Sequence, residues 1–303
     1  MDLRQLQTLV AVADTGSFAA AAGVVNLTPS AISQQIQSLE AEIGAQLFDR
    51  KKRPRQLNAQ GEELVRAARS VVQTLTEARM TIAGGRTAGV LKLGAIRTVS
   101  MRLVPEALRG MRGRYPDLGF EMTVGMSERL MADVAAGRLD AALVAEHVGV
   151  PATLSWSPVL NEPLVIIAPP QEAWRSEVSL LRDLPFIRYA TDVPLARQIE
   201  TELSGLSIVP REVAVANTMP AVVGLVQAGL GVAVVPRIAT LHGGPALHCR
   251  PFRDGAITRR VGLVQRQVSS RSRVLTELRE ILSEVALHRG LVLDPTPGRP
   301  GAA

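Results

Sequence analysis

Between Thr28 and Gly44 the apolar residues Ile32, Ile36, Leu39 and Ile43 fall four, three and four positions apart, the repeat of one face of an α-helix. Thr28 is a good N-cap. Pro29 suits the first helical position, where its missing N–H has no intrahelical partner. The opposite face carries Ser30, Gln34 and Gln37, flanked by Ser33 and Ser38. A solvated face more usually carries Glu and Lys. Short hydroxyl and amide groups instead suit the base edges of a DNA major groove, where Gln bonds adenine through two contacts.

The preceding residues supply the partners this helix needs. Leu3, Leu6, Leu9, Val10 and Ala13 recur at helical spacing, Gly16 stops that helix, and Ser17 caps a second from Phe18 to about Val25. A tight turn at Asn26-Leu27 leads into the third helix. After it comes the basic run Arg50, Lys51, Lys52, Arg53 and Arg55, which Pro54 keeps from being helical, so it is a loop or a short ribbon. Basic runs are usually solvated surface. Here the run lies where a wing would flank a recognition helix and touch phosphates. A net charge of +6 is compatible with a polyanionic partner without demanding one.

These segments together resemble the DNA-binding domain of LysR-type transcriptional regulators. The resemblance rests on Gly16-Ser17-Phe18, Ala21-Ala22, Thr28-Pro29-Ser30-Ala31-Ile32-Ser33, Leu39-Glu40 and Leu47-Phe48-Asp49-Arg50. At Leu57-Asn58-Ala59-Gln60-Gly61 the chain has Asn where that family usually has Thr, and Asn caps a helix equally well. The resemblance implies a winged helix-turn-helix over 1–57. Its DNA-contacting residues would be Thr28, Ser30, Ser33, Gln34, Gln37, Arg50, Lys51, Lys52, Arg53 and Arg55.

From Asn58, Leu64, Ala68, Val71, Leu75, Ala78 and Ile82 alternate spacings of four and three, a coiled-coil seam. The seam serves either to pack the helix on its own domain or to pair two subunits. The resemblance implies the second: a dimerising linker helix over 58–84, a hinge at 85–89, and a tetramer built as a dimer of dimers.

From Val90 strands and helices alternate, as in a parallel sheet covered by helices. Expected strands are Val90–Ala95, Phe120–Val124, Leu139–Val144, Leu164–Ala168, Phe186–Tyr189, Glu212–Ala216, Gly231–Val235 and Arg259–Val264. Expected helices are Met101–Arg114, Glu128–Ala136, Leu195–Glu202, Met219–Gln227 and Val274–Leu287. The runs Gly137–Leu143 and Ala228–Pro236 resemble the same family's effector domain, a two-lobed α/β fold of the periplasmic-binding-protein type. By that resemblance the domain spans 90–293, with lobe I about 90–161 and 266–293 and lobe II about 162–265. The chain would cross near Glu162-Pro163 and return near Val264-Gln265. The Pro/Gly-rich end, 294–303, reads as a disordered tail.

The cleft between lobes is the expected ligand site. Strand-to-helix turns put Arg97, Thr98, Ser100, Ser127 and Thr218 near it, with Arg188 and Arg197 as further cations; helix N-termini and guanidinium groups favour an anion. The same Ser and Thr residues also serve as plain helix caps. An organic acid or amino acid is the expected effector.

Other chemistry lacks residues to carry it. One cysteine, Cys249, excludes an internal disulfide and a Cys-rich zinc site. His147, His242, His248 and His288 show no metal spacing, no nucleophile elbow or phosphate loop appears, and Asp133, Asp140 and Glu146 form no acid/base pair. No catalytic residue, metal or cofactor is therefore expected. The chain shows no secretory signal and no membrane span, so a cytoplasmic protein is expected. The leading reading is an effector-controlled regulator of double-stranded DNA, for which RNA polymerase is a compatible partner. An architectural DNA-binding protein without an effector, and a solute-binding or catalytic α/β protein, are the alternatives.

Overall fold

The computed structural model describes residues 1–49, 52, 55–82, 89–146, 149–241, 243–269 and 271–291. Arg50, Lys51, Arg53, His147, His242, the 85–88 part of the hinge and the 294–303 tail lie outside these residues.

In the N-terminal head, α1 (Leu3–Thr15) starts at a reciprocal cap between Asp2 and Gln5 and ends at Gly16, whose φ of 66° is left-handed. Ser17 caps α2 (Phe18–Val25), and Asn26, also left-handed, closes it. Thr28 caps α3 (Pro29–Ile43) by accepting from Ala31 N at 3.2 Å. Ile32, Ile36 and Leu39 are buried with Leu9, Val12, Ala21, Leu47 and Phe48. Ile43, expected in the same stripe, is 40% exposed: α3 ends after it, and Leu47 and Phe48 fill the core instead. β1 (Phe48–Asp49) pairs antiparallel with β2 (Gln56–Leu57), a short ribbon whose two strands stand on either side of the basic run in sequence.

Asn58 begins α4 (Ala59–Ile82), accepting from Gly61 N and donating to Gln46 O. Gly61 is needed there, since a Cβ would stand 2.2 Å from the Leu47 carbonyl oxygen. Val65 and Ala68 are buried, with Val65 in the head core, and Arg69 pairs with Asp14 of α1. Further along, Val71 and Leu75 are exposed. The first half of the seam therefore packs on the chain's own head and the next turns do not. Ala78 and Ile82 have side chains outside the described set.

The remainder runs β3 (Gly89–Ile96), α5 (Arg97–Ser100), α6 (Leu103–Arg114), β4 (Leu118–Gly125), α7 (Ser127–Ala135), β5 (Ala141–Ala145) and β6 (Leu154–Ala168). Then come α8 (Glu177–Asp183), β7 (Phe186–Tyr189), α9 (Pro194–Gly205), β8 (Glu212–Ala216), α10 (Met219–Gln227), β9 (Ala233–Pro236), a 3₁₀ turn Arg237–Leu241, β10 (His248–Pro251), β11 (Thr258–Arg266) and α11 (Ser272–His288).

One curled sheet runs β10–β6–β11–β5–β3–β4, with β9 also paired to β6, while β7 and β8 form a separate pair. β3 is parallel to β4 and β5, and β7 to β8, as the alternating pattern predicts. The strands that link the lobes are antiparallel instead: β6 leaves the first lobe, β11 comes back, and the two pair side by side from Leu154 to Pro163. Beyond Pro163, β6 pairs with β9 and β10. The segment Leu154–Pro163 carries Pro158 and Pro163 and lies outside the strands that the sequence pattern predicts. The ladder accommodates this with a register shift opposite Val261/Gly262.

Two apolar cores lie on either side of this crossover. Val261, Leu263 and Val264 belong to the first, and β11 pairs with β5 from Val261 onward, where the sequence reading has the chain return near Val264-Gln265. Apolar residues of β11 match either core equally well in sequence; their pairing with β5 decides. The 3₁₀ turn bridges the two, Ile238 packing in the first core and Ala239 in the second.

Candidate functional site

Two surfaces gather chemistry. On the head, Ser30, Gln34 and Gln37 are exposed along α3, and Ser33 is half-buried. Gln34 and Gln37 make no hydrogen bond with other described residues. Their neighbours are committed elsewhere: Gln35 accepts from the Thr8 hydroxyl, Ser38 from Gln5, and Glu40 from Leu47 N at 2.7 Å. The Thr28 and Ser30 hydroxyls bond each other at 3.0 Å beside the helix start. An exposed row with free amide donors and acceptors is what base-edge readout requires.

The ribbon is held to this helix pair by aromatic packing. Phe18 and Phe48 lie 5.1 Å apart with their planes tilted by 59°, and the Arg55 guanidinium sits 5.8 Å over the Phe18 ring. Arg55, Ser17 and Ser33 line one shallow groove between α2, α3 and the ribbon. Lys52 donates to Gln56 at 2.9 Å. Of the described cations of the run, Arg55 thus lies beside Ser33 of α3.

The second surface is the cleft between lobes, where Arg97, Thr98 and Met101 of the first lobe face Tyr189, Met219, Pro220 and Ala239. The cavity they enclose offers about 20 Å³ to the centre of a water molecule, enough for one. The closed cavity is too small for a molecule much larger than water. Of the expected contacts, Arg97 and Thr98 line this cavity. Thr218 caps α10, whose first residues Met219 and Pro220 line it.

The others are elsewhere. Ser100 is buried and donates to Arg97 O, Ser127 is half-buried outside the lining, and Arg197 pairs with Asp192 at the surface. Arg188 is tied to Glu200 and Glu212, because alternate residues of β7 face opposite ways and Tyr189 takes the cleft side. Burial raises the Tyr189 pKa, opposed by the charges of Arg97 and Arg259, so its hydroxyl stays protonated at neutral pH.

Beneath the cleft lies a cluster that the sequence did not single out. Glu162, fully buried on β6, accepts from Arg259 of β11 at 2.5 and 3.1 Å, and from Ile238 N of the 3₁₀ turn at 2.7 Å. Arg259 continues to the Thr98 hydroxyl, 3.0 Å away. One buried carboxylate thus ties together both crossover strands and the bridging turn.

This geometry of winged head, long helix and two-lobed sensor is matched by two family descriptions. "Bacterial regulatory helix-turn-helix protein, lysR family" covers residues 3–62, and "LysR substrate binding domain" covers residues 84–287. The chain belongs to the LysR family of transcription regulators.

LysR-family proteins are DNA-binding regulators with an effector-binding domain, and not enzymes. Among relatives, a probable hydrogen peroxide-inducible genes activator of Mycobacterium avium is 32% identical over 302 residues, covering 92% of this chain and 93% of that protein. A full-length OxyR variant of Pseudomonas aeruginosa has the same fold, with a TM-score of 0.72 at 23% identity over 93% of this chain and 94% of that one. So does full-length LysG of Corynebacterium glutamicum with bound effector arginine, at TM-score 0.69 and 20% identity, over 95% and 99%. No helix among the described residues is long and apolar enough to cross a membrane.

Proposed function

We propose that this LysR-type regulator reads double-stranded DNA with the Ser30, Ser33, Gln34 and Gln37 face of α3 and takes its signal from a small anionic metabolite between the lobes. The observation that carries the effector half is the cleft itself. Arg97 and the Thr98 hydroxyl of one lobe meet Tyr189, Met219 and Pro220 of the other across a cavity with room for one water. A ligand wedged there favours one lobe angle over the other, and its differential affinity for the two sets the response.

A peroxide signal like that named for the Mycobacterium avium relative does not suit these residues. Cys249 is the sole cysteine, so the chain can form no disulfide within itself. Burial raises the Cys249 thiol pKa and disfavours the thiolate that oxidation requires. An organic acid or amino acid fits better.

The working domains are a head over 1–57, a linker over 58–84, a hinge over 85–89 and an effector domain over 90–293. Dimers form through the exposed Val71 and Leu75 side of α4, and two dimers form a tetramer acting in the cytoplasm, with RNA polymerase as a downstream partner. Two heads so joined read half-sites one or more helical turns apart.

The test is a thermal-shift screen of the full-length protein against organic acids and amino acids, followed by operator binding with each hit. The expected result is an acid that raises the melting temperature and alters operator affinity. A protein indifferent to every compound, or one binding operator and random DNA equally at all salt concentrations, overturns the reading.

A further inference from the structure

We propose that Arg259 is the residue that receives the effector's anionic group, that Glu162 positions it, and that the ligand is a monocarboxylate with an apolar body. This rests on the cleft reading above and assigns its chemistry.

Arg259, on the crossover strand β11, stands directly behind the lining residue Thr98. Its Nε and Nη2 are occupied by Glu162, and Nη2 also reaches Thr98, a lining residue. Its Nη1 makes no hydrogen bond with the described residues, so its two N–H groups are uncommitted among them. A carboxylate beside Thr98 therefore meets a guanidinium edge already fixed in orientation by a buried partner. Such preorganisation favours a charge-assisted contact, because little side-chain freedom is lost on binding.

Charge and lining then define the ligand. Arg97 and Arg259 bring two positive charges to the cleft and Glu162 one negative charge, so one positive charge is left for the ligand to balance. A dianion would bring an uncompensated charge into a closing, poorly solvated space, and a neutral molecule would leave the cationic edge unanswered. The rest of the lining is Met101, Met219, Pro220, Ala239 and the Tyr189 ring, which suit an aromatic or branched aliphatic body.

The position also links ligand to movement. Glu162 holds Arg259 with one oxygen and the Ile238 N–H with the other, and the turn carrying Ile238 packs into both lobe cores. A ligand that draws on Arg259 acts on the group that pins this turn.

The experiment titrates full-length protein with benzoate, phenylacetate and isovalerate, each beside its amide, and with phthalate as a dicarboxylate, by calorimetry and thermal shift. At least one monocarboxylate is expected to bind, with its amide and the dicarboxylate weaker by roughly tenfold or more. Thr98→Val leaves the ion pair intact and should weaken that acid about threefold to tenfold, and Arg259→Lys, which loses the planar fork, roughly tenfold. Glu162→Gln should move preference toward phthalate, a change of charge selectivity that loss of packing alone does not produce; circular dichroism verifies each fold.

Acid and amide binding equally, or the acid binding Thr98→Val and Arg259→Lys as tightly as wild type, overturns the assignment. In either case the cleft reading survives if Arg97→Gln abolishes binding. No protection of wild type by any compound of these classes overturns the assignment, and the cleft reading falls with it when the wider acid screen is also blank.

Discussion

The recognition face of α3 and the floor of the lobe cleft both present polar side chains, yet they are built in opposite ways. On α3, Gln34 and Gln37 are exposed, without partners among the described residues, and carried by one continuous helix. At the cleft floor, Glu162 and Arg259 are buried, bonded to each other, and brought together from residues 97 positions apart. The surface proposed to read DNA keeps its hydrogen bonds unspent in water. The site proposed to answer a small molecule holds buried charge, where losing a partner is costly and a new one matters.

The largest effect should come from breaking the buried pair. Arg259→Ala leaves the Glu162 carboxylate uncompensated and should cost about 3–5 kcal/mol of stability, read by urea denaturation. Gln34→Ala, on an exposed helix face, should stay within about 0.5 kcal/mol. Equal losses for the two would erase the contrast.

The DNA readout should show the reverse order. Gln34→Ala is expected to lose about 1–3 kcal/mol of discrimination at one operator base pair, measured by competition between operator variants. Thr98→Val should leave DNA affinity unchanged in the absence of ligand.

A finer distinction separates two parts of the head. Lys52→Ala or Arg55→Ala should weaken operator and random DNA alike and lower the salt-dependence slope by about one. A base-specific loss for Lys52→Ala would move that residue from phosphate contact to readout.

The smallest effect concerns Cys249, which belongs to neither surface. Burial favours its neutral thiol and raises its pKa, so this contribution to stability is present below the ordinary thiol range and fades as pH rises through the raised value. Alkylation of the native protein at neutral pH should be slower than that of a free thiol, and accelerate only above the ordinary thiol range. Fast modification at neutral pH would restore a redox reading.

The head was legible almost residue by residue because its signals are local. Caps at Ser17 and Thr28, the stop at Gly16 and the stripe Ile32, Ile36, Leu39 all act within one or two helical turns. The cleft was legible only in part. Thr98 and Arg97 follow a strand and were found by that position, while Arg197, chosen by the same kind of reasoning, is held by Asp192 at the surface. Tyr189 and not its neighbour Arg188 lines the cleft, since one residue's difference in a strand reverses which face a side chain takes. Glu162 and Arg259, legible as a crossover point and a strand start, gave no local signal of their pairing, because a carboxylate before a proline and an arginine in a basic stretch look like surface.

The sequence by itself determined the elements, their order and the family, and with them a head that binds DNA and a domain that binds an effector. Periodicity, capping and turn chemistry depend on residues close in the chain, so they can be read along it. The tertiary structure decided where the lobes join, which half of the α4 seam is used by its own head, and which charges are buried together. The first and last of those outcomes depend on the antiparallel pairing of β6 with β11, which brings Glu162 and Arg259 to one point from distant places in the chain; the second depends on the head core that α4 reaches through Val65.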